Sequence, residues 1–130
     1  MPLIVDDDLI ETDFGRWEGL TFREAAEQDP DTHSRWLGDT SVPPPGGESF
    51  EVVRERVERG LRRIVAERPG QVVAVVSHVT PIKLAIRAGL GAGDELLFRL
   101  HLDLASVSDV RFYSDGPTSV HLVNDTSHLG

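Results

Sequence analysis

Residues 71–77 read Gln-Val-Val-Ala-Val-Val-Ser, an uninterrupted β-branched run without a charge. A strand with one face in water alternates apolar and polar residues. An unbroken run is instead the pattern of a strand covered on both faces, as in a parallel sheet between helical layers. Pro69 and Gly70 punctuate its start, and beyond His78 the pair Thr80 and Pro81 reads as the cap and first turn of a helix running through Ala88 and ended by Gly89. Strand, tight corner and helix therefore follow one another. Upstream, Phe50, Val53, Val57, Leu61, Ile64 and Val65 recur at steps of three and four, which predicts a helix over 49–67 with an arginine and glutamate outer face. Three prolines and two glycines over 42–47 exclude helix and central strand there, leaving a loop that leads into that helix.

Elsewhere the signals are shorter. Thr21 with Glu24 three residues later is a capping box, predicting a helix over 22–28 that stops before Pro30. Asp31 is the expected cap of a second short helix that carries Trp36 and Leu37 and stops at Gly38. Residues 3–10 read as an extended lead-in with a short strand around Leu9 and Ile10, and 93–98 as a helical turn. Residues 107–113 and 119–123 flank the turn 114–117 as a hairpin, and 124–130 are a polar tail. The expectation is one α/β domain over 1–130: a three-layer sandwich with a mostly parallel sheet flanked by helices and an antiparallel edge.

Composition excludes several kinds of chemistry. There is no cysteine among the 130 residues, which removes disulfides, thiolate metal sites and cysteine nucleophiles and fits a reducing compartment. Asp6, Asp7 and Asp8 stand where a secretory leader would carry positive charge, and no apolar run is long enough for a membrane span, so a cytoplasmic location is expected. The formal charge of -9 disfavours direct binding of nucleic acid. It also means that an enzyme for phosphate esters needs a locally positive pocket.

Two segments can carry chemistry. His78 sits at the carboxyl end of the apolar strand, where ligands of open α/β sheets bind. The free N–H groups of the following turn, near Val79, Thr80 and Ile82, form an anion site with the positive end of the helix dipole. The plain alternative is a histidine that only bonds a neighbouring strand. The second segment, residues 9–20, runs into a glycine-punctuated loop with Glu11, Asp13 and Glu18 as candidate acids, and the residues alone do not choose among them. Trp17 and Trp36 read as packing residues, the arginines from Arg54 to Arg68 as a solvated face paired with Glu51, Glu55 and Glu58, and Ser77 as no dyad partner of His78, since strand neighbours point to opposite faces. A metal site on His101 and Asp103 lacks further ligands.

Taken together, three segments resemble the histidine phosphatases of the phosphoglycerate mutase-like superfamily. Residues 11–19 match its E-x-x-x-G-x-W-E-G segment, Gly47-Glu48-Ser49 the G-E-S that opens the long helix, and Val75-Val76-Ser77-His78 the strand and second active-site histidine. The nearest likeness is to α-ribazole phosphatase-like domains, some of which follow a ribonuclease H domain in longer proteins.

The resemblance implies a metal-free and cofactor-free phosphomonoester hydrolase, of the acid phosphatase or α-ribazole phosphatase kind. Glu11 would be the general acid and base, His78 would stabilise the phosphoryl oxygens, and the backbone N–H of Val79 would donate to the phosphate, although many members have glycine at that position. The short connection over 21–45 favours hydrolysis over mutase chemistry. The family's nucleophile is the histidine of an R-H-G motif, and neither R-H-G nor the arginine-bearing S-x-L-x-R-A segment occurs in these residues. His33, His101, His121 and His128 do not fit the nucleophile's motif. The resemblance therefore implies a chain lacking the first third of the domain, inactive alone, with an exposed central strand edge that a complementing N-terminal segment or a swapped homodimer would cover. The alternative is a non-catalytic phosphate-binding module.

Overall fold

The computed structural model describes residues 3–130. Helix α1 (Phe22–Gln28) begins at Thr21, where both arms of the expected capping box form. The Glu24 N–H donates to Thr21 Oγ1, and the Thr21 N–H donates to Glu24 Oε1, each at 3.1 Å. Asp29 ends α1 and also starts α2 (Pro30–Gly38). The expected cap, Asp31, lies instead in the first turn of α2. Pro30 takes the first helical position, which suits its fixed φ and missing N–H.

Helix α3 (Phe50–Glu67) starts at Ser49, whose Oγ accepts from the Val52 N–H at 3.2 Å. It buries the stripe Phe50, Val53 and Val57. Helix α4 (Val79–Leu90) runs further than the sequence suggests at both ends, from a cap at His78 to Gly91. Gly91 has φ +64°, the left-handed conformation that closes a helix without a Cβ penalty. Helix α5 (Leu96–Arg99) precedes the hairpin of β1 (Val107–Phe112) and β2 (Thr118–Asp125), which pair antiparallel with Val110 opposite Val120. The tail expected from 124 onward joins β2 as far as Asp125 and ends in a 3-10 turn, Ser127–Leu129.

One apolar core joins these helices. Leu9, Trp17, Ala25, Trp36, Phe50, Val53, Val57, Leu84 and Leu97 form a single cluster. Trp36 is its centre, with ring centroids 5.4 Å from Trp17, 5.2 Å from Phe50 and 6.1 Å from Phe98. These separations are the normal range for attractive aromatic pairs, and both tryptophans are packing residues as expected. His33 is also buried against them, which its sequence context does not reveal.

Two expectations need correction. Residues 3–10 hold a 3-10 turn, Asp7–Leu9, in place of a strand. The Asp6 side chain accepts from the Asp8 N–H at 3.0 Å, and Arg59 and Arg63 of α3 hold Asp8 and Asp6. The larger correction concerns 71–77. The segment carries no ladder bonds, and the only sheet among the described residues is the two-stranded β1–β2 hairpin. The parallel sheet expected of the three-layer sandwich is thus not formed here. Val72 and Val76 are 101% and 98% exposed, whereas Val73 and Val75 are 43% and 47% exposed, so one face of the segment is partly packed and the other lies open. A strand needs a neighbour for its backbone groups, and among the described residues none pairs with this one.

Gly89, expected as a helix stop, lies inside α4 under the hairpin. A Cβ there would meet Val110 Cγ1 at 2.5 Å and Val120 Cγ2 at 3.0 Å. Gly89→Ala is therefore expected to lose about 1–3 kcal/mol through overpacking, outweighing the gain of about 1 kcal/mol in helix propensity. Gly38→Ala, which meets nothing within 4 Å, should leave stability unchanged or slightly raised. Urea midpoints of the two variants check the contrast, and an unchanged midpoint for Gly89→Ala would contradict this packing.

Candidate active site

The segment bearing Glu11 is held against the proline-rich loop by backbone contact. The Glu48 N–H donates to the Asp13 carbonyl at 2.7 Å, the Asp13 N–H to Glu48 Oε1 at 3.0 Å, and the Arg16 N–H to the Pro45 carbonyl at 2.9 Å. Such an approach needs glycine on both sides. A Cβ on Gly15 would collide with the Pro45 carbonyl, and one on Gly47 with the Asp13 carbonyl. Gly15 also has φ +57°.

All three candidate carboxylates are held in the same way, by one backbone N–H each. Asp13 Oδ1 accepts from the Gly15 N–H and Glu18 Oε1 from the Phe14 N–H, both at 2.9 Å, and the second oxygen of each takes part in no hydrogen bond among the described residues. Glu11 shares this pattern and lies near Lys83. Its Oε1 accepts from the adjacent Thr12 N–H at 2.7 Å, and Oε2 takes part in no hydrogen bond among the described residues. Half of this carboxylate remains available to another molecule.

His78 reaches the same region through a contact between segments. Ser77 Oγ donates to the Leu9 carbonyl at 2.5 Å, tying the end of 71–77 to the strip that carries Glu11 two residues later. His78 is the N-cap of α4 with extended dihedrals, its side chain makes no capping bond, and the residue is exposed. Val79 and Thr80 occupy the first two helical positions, where N–H groups have no intrahelical acceptor. Pro81 has no N–H to leave unpaired. Ile82, expected among the free donors, instead donates to the His78 carbonyl at 3.1 Å, because the helix starts one residue before the expected cap at Thr80.

A residue that sequence reasoning missed stands beside them. Lys83 Nζ donates to the Leu97 carbonyl at 2.9 Å. Burial lowers the pKa of its ammonium group, and the Glu11 carboxylate is close enough to oppose that shift. A single lysine on a helix gives no sequence signal of such a position. A half-free carboxylate lies near an ammonium group, and a segment ending in an unengaged imidazole and two helix-end N–H groups is tied to the same strip through Ser77. They can bind an anion and move a proton.

Several arginines are engaged in ion pairs. Arg54 pairs with Glu51 and Glu58, Arg59 and Arg63 with Asp8 and Asp6, and Arg87 with Asp94 at 3.1 Å. Only Arg54 follows the intrahelical pairing expected of a solvated face, and Arg56 is buried. A cavity of about 520 Å³ lies elsewhere. It is lined by Leu61, Arg62, Val65, Ala88, Phe112 and Tyr113, near the far end of α4, about 18 Å long, from His78. His101 and Asp103 bond each other at 2.8 Å on the surface, and no cluster of three or more metal-ligating side chains occurs among the described residues.

These features agree with the comparisons. The sequence profile of the histidine phosphatase superfamily (branch 1) matches residues 1–126. The chain belongs to the histidine phosphatase superfamily, with the α-ribazole phosphatase-like likeness expected from its motifs. It is 61% identical to the "Bifunctional protein Rv2228c" of Mycobacterium tuberculosis over 129 residues, 99% of this chain and 35% of that protein. It is 31% identical to phosphoserine phosphatase 1 of Hydrogenobacter thermophilus, over 100% of this chain and 62% of the relative. Its fold superposes on the α-ribazole phosphatase of Shigella flexneri with a TM-score of 0.80 and 25% identity, over 96% of this chain and 62% of the other. The chain therefore spans between about a third and two thirds of the length of these relatives. The α/β class and phosphoglycerate mutase-like architecture hold, and no described helix is long and apolar enough to cross a membrane.

The ion pairs set a dependence on pH. Hydrogen bonds from Arg59 and Arg63 hold the Asp8 carboxyl below its ordinary range, and those from Arg56 do the same for Glu48 against the opposing effect of burial. Since the folded chain keeps these groups ionised to lower pH than the unfolded chain, their stabilisation is complete above the unfolded carboxylate range near pH ~4. It is lost as pH falls through the depressed folded values. Thermal melts from pH 6 to 2.5 should show a decline below pH ~4 that is somewhat shallower in Asp8→Asn. An equally steep decline in that variant would contradict the assignment.

Proposed function

We propose that this chain carries the general-acid and phosphoryl-stabilising half of a metal-independent phosphomonoesterase site. The observation that carries the reading is the Ser77 to Leu9 bond, which ties the His78 corner to the Glu11 strip, with the Glu11 carboxylate left half free. In this reading a phosphate monoester sits with its oxygens toward His78, the Val79 N–H and the positive end of α4. A nucleophilic histidine attacks phosphorus, the bond to the ester oxygen breaks, and Glu11 gives its proton to the departing alkoxide. Glu11 then takes a proton from water, whose oxygen displaces the histidine from phosphorus and releases inorganic phosphate. Lys83 adds positive charge to a protein with a strongly negative sum.

The nucleophile and a phosphate-binding arginine come from a segment outside these 130 residues. That segment also supplies the strand that covers the open edge at 71–77. A separate N-terminal piece is favoured over a swapped homodimer, because relatives related over nearly all of this chain are considerably longer. The relative named bifunctional supports a parent with a second activity, which the α-ribazole phosphatase-like resemblance suggests is a ribonuclease H domain. Small phosphate esters are the substrate class, and the cytoplasm is the location. The relatives named for phosphoserine and α-ribazole support the class without choosing within it.

Hydrolysis of p-nitrophenyl phosphate tests the reading, comparing this chain with a polypeptide extended upstream through an encoded R-H-G. Turnover is expected only in the longer form and should survive chelator. It should fall about 10²–10⁴-fold in Glu11→Gln and about 10²–10³-fold in His78→Ala. Turnover by this chain alone would contradict the external nucleophile, and silence in the longer form would favour a phosphate-binding module. A monodisperse monomer of this chain in light scattering would count against the swapped homodimer.

A further inference from the structure

Arg56 lies on α3, three residues after Val53 on the buried side, and is only 9% exposed. A buried guanidinium is costly unless all of its donors and its charge are satisfied. Here all five N–H groups have acceptors. Nε donates to Glu48 Oε2 at 3.0 Å and Nη2 to Glu48 Oε1 at 3.0 Å, a bidentate pair. Nη1 donates to the carbonyls of Asp8 and Ile10 at 2.9 and 2.8 Å, and Nη2 to the carbonyl of Glu11 at 3.1 Å.

The choice of carbonyls matters. The Ile10 carbonyl belongs to the peptide unit before the Glu11 Cα, and the Glu11 carbonyl to the unit after it. Peptide units are rigid planes, so fixing both fixes the two backbone torsions of Glu11 and the direction in which its side chain leaves. One planar guanidinium holds both planes. Glu48 extends the hold, since the same carboxylate accepts from the Asp13 N–H while its own N–H bonds the Asp13 carbonyl.

We propose that Arg56, with Glu48 as its counter-charge, is the positioning residue that sets the direction of the Glu11 side chain. The proposal rests on Glu11 being the acid of this site. Glu48 also neutralises the guanidinium, so that Glu11 is positioned by a cation without facing an unpaired one. Lysine cannot replace it, because an ammonium group has three donors from one point and cannot span the carboxylate and three carbonyls.

The test compares this chain with Arg56→Lys, Glu48→Gln and a control, Arg59→Lys, by nuclear magnetic resonance. In Arg56→Lys the amide signals of Glu11, Thr12 and Asp13 should shift and broaden, and the HN–Hα coupling of Glu11, which reads its φ, should move toward an averaged value. The control should leave them in place. A folded Arg56→Lys with a Glu11 coupling like that of the parent overturns the proposal. If Arg56→Lys does not fold, Glu48→Gln decides by the same signals, and unmoved Glu11 and Asp13 resonances overturn the proposal there. In the extended polypeptide, Arg56→Lys should lower kcat about 10–100-fold with little change in KM. An undiminished rate in Glu11→Gln would reject the acid reading, while the resonance comparison still reports whether Arg56 directs Glu11.

Discussion

The backbone junction between the Glu11 segment and the start of α3 is the constraint on which the rest of the site depends. At Gly15 and Gly47 two loops meet without side chains between them, close enough for their peptide groups to bond directly. That approach places Glu48 beside Asp13 and brings the first turns of α3 under residues 8–11. Arg56 then closes the arrangement from inside. A substituent on either glycine would separate the loops, and the ion pair, the carbonyl contacts and the setting of Glu11 would separate with them.

Charge is distributed to the same end. Part of the acidic charge is paired along α3, where arginines hold Asp6, Asp8 and Glu48, and these pairs hold the lead-in together with the buried Leu9. Exposed pairs of this kind contribute little each, so the buried Arg56 is the member whose loss matters most. The N-terminal end of α4 and Lys83 also carry positive potential.

Much of this was legible in the sequence. The capping box, the helical periodicity of α3 and the hairpin turn are local signals, and α1, α3 and the β1–β2 pair stand where those signals put them. The three motif segments also led to the family. Missed features depend on distant partners. Arg56 shares its spacing and residue type with exposed arginines nearby, and only the fold reveals that it turns inward. Lys83 is close to Glu11 through the crossing of α4 with a segment some 70 residues away in sequence. The run at 71–77 was read as a buried strand from its composition. That composition is the one expected of a strand covered on both faces, and among the described residues the ladder that would make it a strand does not form.

The central claim is that Glu11 and the His78 corner form one anion site. Its most direct test is a titration of this chain with millimolar orthovanadate, followed residue by residue by nuclear magnetic resonance. The account predicts that Glu11, His78, Val79 and Thr80 shift together along one binding curve, and that His78→Ala abolishes the response at Glu11 as well. Shifts confined to other surfaces, or separate curves for Glu11 and His78, would show that the two segments do not share a site.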